Sequence, residues 1–160
     1  MAFWTSVNNS DPLRKFRFKI QFGEKSDDII WWAKSVTQPS LDVSMSEYQL
    51  INHKIKYPGV VTWNDIDITI VDVGAKGLEY FNKLVKVGYN RSGGLDGIKK
   101  GQYDAQAFNI QKFNSEGEKQ EEWDLINPFI KAIKYGDLDY SSDELLEITL
   151  TVAYDSATLS

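Results

Sequence analysis

"LLEITLTVAYD", residues 145–155, alternates without a break: Leu146, Ile148, Leu150, Val152 and Tyr154 fall on one side, Glu147, Thr149, Thr151 and Ala153 on the other. Successive side chains of a β-strand point to opposite faces of its sheet. A period of two therefore predicts a strand with one face in a core and the other lined by hydroxyls and a carboxylate. "VTWNDIDITIVD" (61–72) carries the same signature, with Ile66, Ile68 and Ile70 set against Asp65, Asp67 and Thr69. "LRKFRFKIQF" (13–22) repeats it, with Phe16, Phe18, Ile20 and Phe22 opposed to Lys15, Arg17, Lys19 and Gln21. Each such strand needs apolar cover on one face, and two sheets facing each other supply it.

The rest of the chain fills in around these strands. "IIWWAKSV" (29–36) predicts a partner for 13–22 across the turn "GEKSDD", and Pro39 ends it. Residues 41–58 hold strand-like pieces, "VSMSEYQL" and "HKIKY", but are long and weakly patterned, as a protruding loop or hairpin would be. In "AKGLEYFNKLVKVG" (75–88) the period changes: Leu78, Phe81, Leu84 and Val85 are at helical spacing, Glu79 and Lys83 pair, and Gly88 caps. A glycine-rich loop follows at about 89–103, then strands at 105–113 and 121–126. Pro128 and Gly136 punctuate a connection to the final strand. The expectation is one mainly β domain over 1–160, an antiparallel sandwich or barrel with one flanking α-helix.

Composition removes whole classes of chemistry. The chain has no cysteine and a single histidine, His53, which excludes disulfides, thiolate metal sites and paired-histidine acid–base work. "DLDYSSDELLEI" (137–148) starts like a calcium loop, but Ser142 stands where glycine is needed and Ile148 where the closing glutamate is needed. "GGLDGIKKG" lacks the spacing of a phosphate-binding loop and follows a helical segment instead of a strand. Asn8 and Asn90 match the glycosylation pattern, but no signal peptide is visible to give it meaning, and no stretch is apolar enough to span a bilayer. No enzyme and no cofactor are expected.

The net charge of −5 argues against gripping nucleic acid by its phosphates. It is unevenly spread. Arg14, Lys15, Arg17 and Lys19 make the first strand basic, while acidic residues dominate from Glu116 to Asp155. Opposite charge on two parts of one chain has two readings, two solvated surfaces on a single molecule or a head and a tail suited to docking copies together.

Three stretches, "DPLRKFRFKIQF" (11–22), "HKIKYPGVVTWNDIDITIVD" (53–72) and "NPFIKAIKYGDLDYSSDELLEITLTVAYD" (127–155), together resemble the tail tube proteins of contractile-tailed bacteriophages. The resemblance implies a structural virion protein of which six copies close into a ring with one continuous inner barrel. The rings stack into a hollow tube, wrapped by a tail sheath protein and started by baseplate or tube-initiator proteins. It holds the tape measure protein and then passes DNA that it does not bind specifically. The chain would sit in the virion tail, after assembly in the host cytoplasm. A tube initiator, the tube of a phage-derived injection machine, and a monomeric β-barrel binding a small apolar ligand are the alternatives.

The same resemblance assigns candidate surfaces. The arm at 41–58 would reach a neighbour through Met45, Tyr48, Leu50, Ile51, His53 and Tyr57. Trp31 and Trp32 are adjacent, so a strand would send one to the core and the other toward a subunit contact. Candidates for the lumen are the polar faces Asp65, Asp67, Thr69 and Glu147, Thr149, Thr151. If each of six copies gives four strands, spacing and tilt predict a barrel roughly 48 Å across at the backbone and a bore on the order of 40 Å. A wall that must release DNA is expected to be net negative, and a Lys15/Arg17/Lys19 face on it would hold DNA back.

Overall fold

The computed structural model describes residues 12–22, 29–30, 33–74 and 108–160. They form two antiparallel sheets and a separate hairpin. The first sheet contains β1 (Phe18–Phe22), β2 (Ile29–Ile30), β7 (Phe108–Phe113), β8 (Lys119–Ile126) and β11 (Ser156–Leu159), in the order β11-β8-β7-β1-β2. The second contains β3 (Ala33–Val36), β6 (Ile66–Val71), β9 (Phe129–Tyr135) and β10 (Glu147–Ala153), in the order β3-β6-β10-β9. Between them in sequence, β4 (Leu41–Leu50) and β5 (His53–Trp63) pair, among the described residues, only with each other.

The inner faces of the two sheets make one core. Ile20, Phe108, Ile110 and Leu125 come from the five-stranded sheet, and Ile66, Ile68, Ile70, Ile130, Ile148, Leu150 and Val152 from the four-stranded one. The alternation of 66–71 and 147–153 is thus the alternation of burial, with β6 and β10 side by side and Ile68 opposite Leu150. Tyr154 closes one end against Trp63, ring centroids 5.9 Å apart.

Several expectations need correction. Phe16 is not on the core face: it lies in a turn ahead of β1 and is exposed, so the buried pattern starts only with Phe18. Residues 29–36 are not one strand. Ile29–Ile30 pairs with β1 as expected, whereas Ala33–Val36 pairs with β6 in the opposite sheet. The stretch read as a connection after Pro128 contains β9, and the chain does not close at 155, because β11 crosses back to pair with β8. The arm extends to Trp63. The helix expected at 75–88, the glycine-rich loop at 89–103, the side chain of Phe22, and Trp31 with Trp32 lie outside the described residues.

Turns obey local chemistry. Gly117 takes a φ of +82°, and Asn114 Oδ1 accepts from the backbone N–H groups of Glu116 and Glu118 at 2.9 Å each, closing the β7–β8 hairpin. Asn127 adopts a φ of +51° in the turn before β9, where its amide donates to Asp155 Oδ2 at 2.9 Å.

One buried carboxylate supports the five-stranded sheet from its outer face. Glu122 is 9 % exposed and accepts from Gln111 Nε2 at 2.8 Å and Asn109 Nδ2 at 3.3 Å, with Lys119 paired to it. The hydrogen bond from Lys119, then that from Gln111, holds its carboxyl below the usual glutamate value against the opposing effect of burial. A depressed folded value means that the contribution is complete above the ordinary glutamate range and is lost as pH falls through the folded value. Asp124 works in the other direction, since burial raises it. We expect Glu122→Gln to lower stability at pH 7 by about 1–3 kcal/mol. Urea unfolding at pH 7 and at pH 3 should show that deficit shrinking in acid.

Candidate assembly surfaces

The hairpin β4–β5 projects an apolar surface that its own chain does not cover. Every residue of β4 is exposed, and of β5 only Ile55 and Trp63 are partly covered. Met45, Tyr48, Leu50, Ile51, His53 and Tyr57 are therefore all on one exposed element, Ile51 at its tip being 98 % accessible. The pairing register explains why no clean alternation marks this segment. Near the base, Leu41, Val43 and Met45 oppose Trp63, Val61 and Pro58 on one face of the ribbon. Toward the tip the apolar side chains change face: Tyr48 opposes Ile55, Leu50 opposes His53 and Ser46 opposes Tyr57.

Between these patches lies a bulge, with Gly59 packed so close to Ser44 that a Cβ would fall 2.3 Å from its hydroxyl oxygen. The Val60 N–H donates to that oxygen at 2.8 Å. On the first face the tip carries Glu47 with Lys54 and Lys56, ion-paired at 3.6 and 4.0 Å. The ribbon thus presents two apolar patches on different faces. Exposed apolar surface of this extent marks a binding surface.

The second surface is the outer face of the four-stranded sheet. Its register places Thr69 beside Thr149 and Asp67 beside Thr151, so five of the six lumen candidates share one patch across β6 and β10. Thr151 Oγ1 donates to Asp67 Oδ1 at 2.7 Å. Asp65, just ahead of β6, is at the end of the same face and pairs with Lys131 at 2.6 Å. Glu147 pairs with Lys34, and this contact, first the hydrogen bond and then the charge, raises the lysine above its ordinary value.

Lys34, Lys131 and Lys134 were not anticipated here. Lys34 and Lys131 occupy bulge positions on β3 and β9, which turn them toward carboxylates on the central strands. Three lysines thus share this face with three carboxylates (Asp65, Asp67 and Glu147), which makes it balanced and threonine-rich among the described residues. The signal for Lys34 was present in the sequence as a polar residue on a strand; that for Lys131 and Lys134 required knowing β9. Lys19 belongs to the five-stranded sheet, and Lys15 and Arg17 precede it, so this basic stretch is absent from the four-stranded face.

Two grooves lie beside Lys34, one basic and one acidic. Leu13, Arg14, Lys15, Arg17, Phe18, Val36 and Ile110 are among the side chains of the first. The second is bounded by the loop 136–146. Among the described residues no group of three or more side chains could hold a metal ion, and no helix is long and apolar enough to cross a membrane.

No protein-family model and no curated protein matches this chain. Among solved structures it is similar to a chain of the tube-terminating cap of the anti-feeding prophage, at 18 % identity and a TM-score of 0.73, covering 100 % of this chain and 99 % of the other. It is similar to a chain of the sheath–tube complex of the extracellular contractile injection system PVC in its extended state, at 17 % identity and a TM-score of 0.70, covering 100 % and 99 %. Hcp1 from Flavobacterium johnsoniae is similar at 12 % identity and a TM-score of 0.53, covering 91 % of this chain and 95 % of Hcp1. The two-sheet sandwich described here is accordingly the tail-tube fold, the fold of the tube proteins of contractile injection systems.

Proposed function

We propose that this chain is a non-catalytic structural subunit of a contractile tail tube: six copies close into a ring, and rings stack into a conduit inside a sheath. The observation that carries this reading is the four-stranded sheet, one face of which is core and the other an uncovered field of threonines and balanced charges bounded by β3 and β9. Four strands per copy suit a cylinder closed from six sheets, with the polar field turned inward. A wall of hydroxyls and internally paired charges has little net attraction for phosphates, which a conduit needs in order to release DNA.

The hairpin supplies the second requirement. Its two apolar patches suit two neighbours, one within the ring and one in the next ring. A bulged lysine on each margin of the inner sheet discourages indiscriminate edge pairing, which keeps isolated copies apart until a baseplate or initiator seeds them. In this reading the tube assembles in the host cytoplasm, holds a tape measure protein until ejection, and ends in the virion tail. The likeness to PVC and anti-feeding prophage chains favours a second version, the tube of an extracellular injection apparatus with protein cargo. The balanced wall suits that cargo equally.

Negative-stain microscopy of the purified chain, with and without a baseplate seed, tests the proposal. Rings or tubes with a bore on the order of 40 Å are expected. A monomer at every concentration, seeded or not, would leave a lone sandwich and overturn it.

A further inference from the structure

The basic groove and the acidic loop lie on opposite margins of the four-stranded sheet, the groove along β3 and the loop beyond β9. The groove runs beside β3, has a volume of about 550 Å³, and among the described residues is lined by five cations and no carboxylate. Its floor is apolar, from Leu13, Phe18, Val36 and Ile110. Lys34 and Lys112 are paired to Glu147 and Glu121, whereas among the described residues no carboxylate pairs with Arg14 or Lys15.

The loop 136–146 leaves β9, the opposite margin, and returns to β10. It carries Asp137, Asp139, Asp143 and Glu144 with no cation, and exposes Leu138, Tyr140 and Leu145, Leu138 being 86 % accessible. It is also built to hold a shape. Ser141 donates to Asp139 Oδ1 from its N–H at 2.9 Å and from its hydroxyl at 2.8 Å, and Glu144 N–H donates to Ser142 Oγ at 3.3 Å. At its root the Gly136 N–H donates to Glu147 O at 3.0 Å, where a Cβ would fall 2.9 Å from that oxygen. A loop already ordered loses less entropy on docking.

We propose that the loop 136–146 of one copy seats in the basic groove of the next copy around the ring, as its lateral lock. The inference rests on the tube reading, because closing a cylinder sets the β9 margin of each copy against the β3 margin of its neighbour. The groove runs along β3 from Lys34 to Gln38, and its Lys34 end is at the loop's end of the sheet, since Lys34 also lines the cavity bounded by the loop. That closure therefore brings loop to groove. The occupant is a second copy, because none of the loop's residues lines its own groove; within one copy the loop's charge reaches only the groove's Lys34 end, where Glu144 acts on Lys34. Charge and apolarity both match: carboxylates meet Arg14 and Lys15, and Leu138 and Tyr140 meet the apolar floor.

Charge reversal in pairs tests this. One variant carries Arg14→Glu with Lys15→Glu, a second carries Asp137→Lys with Glu144→Lys, and a third carries all four. These are exposed positions, so melting temperatures should stay near native. Each of the first two should need a concentration raised by about 100-fold or more to form particles. Mixed in equal amounts they should recover, since an alternating ring of six puts opposite charges at every contact. The four-substitution chain should recover alone. Native-like assembly by either single-sided variant would overturn the proposal. So would failure of the mixture while the four-substitution chain assembles, which would place the contact within one copy. If the native control forms no particle under any condition, the tube reading itself is overturned.

Discussion

Replacing residues 44–60 by Asn-Gly should leave a folded protein that no longer forms tubes. Val43 and Val61 are directly paired, so a two-residue turn can join them without disturbing the base. That base stays fixed, because Asn64 Nδ2 donates to Asp42 Oδ2 at 2.8 Å and Trp63 remains packed on the core. Almost everything removed is exposed in the single chain, and surface changes of this kind shift stability by about 0.5 kcal/mol or so. In an assembled tube the same side chains would be buried. Fully burying a residue such as Ile51, Leu50 or Tyr57 contributes about 1.5–3 kcal/mol, and every 1.4 kcal/mol is about tenfold in affinity. Losing several together takes assembly beyond reachable concentrations. The check is a thermal melt within a few degrees of native, together with an empty field in negative stain. Tubes that still form would show that the arm is no contact. A collapsed melt would show that it belongs to the fold.

Phe108→Ala should act in the opposite way, on the fold and only through it on assembly. Phe108 is fully buried, pairs with Phe22 and Leu125 across the sheet, and belongs to the core joining both sheets. Truncating a buried phenylalanine costs about 3–5 kcal/mol, transfer and cavity together, of a total stability of about 5–15 kcal/mol. For a chain of this size each kcal/mol lowers the midpoint by about 2–4 °C, so a fall of roughly 6–20 °C is expected. Denaturant titration should show a lower midpoint with an unchanged slope. A midpoint unchanged from native would mean that the position is not core. Set beside the arm deletion, this variant separates loss of the subunit from loss of its contacts.

The period-two stretches determined a great deal unaided. In 66–70 and 146–154, which residues are buried and which polar ones share the other face follows from strand geometry alone, because alternation is a local property of the backbone. The grouping of Asp67 with Thr69, and of Glu147 with Thr149 and Thr151, was legible for that reason, whereas their joining into one patch follows from the pairing of β6 with β10. The hairpin of β4 and β5 was legible only as strand-like pieces without a clean alternation; the exchange of apolar face at its bulge shows only in the register of the two strands. β9 is not legible in the sequence, because the bulged Lys131 spaces Ile130 and Ile133 three apart, a spacing that does not read as a strand. Nor is β11, since "SATL" is short and nearly free of large apolar residues.

What only the tertiary structure decided is non-local. Residues 29–30 and 33–36 are near neighbours in sequence, yet they join opposite sheets, because pairing is set by partners distant along the chain: β1 for the first, β6 for the second. The charge of the polar face was decided in the same way. Asp67 and Glu147 could be assigned to it from sequence, but the lysines that balance it come from margin strands whose places depend on the whole sheet. Strand period is written in adjacent residues. Strand order, and with it the chemistry of a face, is settled only when distant segments compete for the same edge.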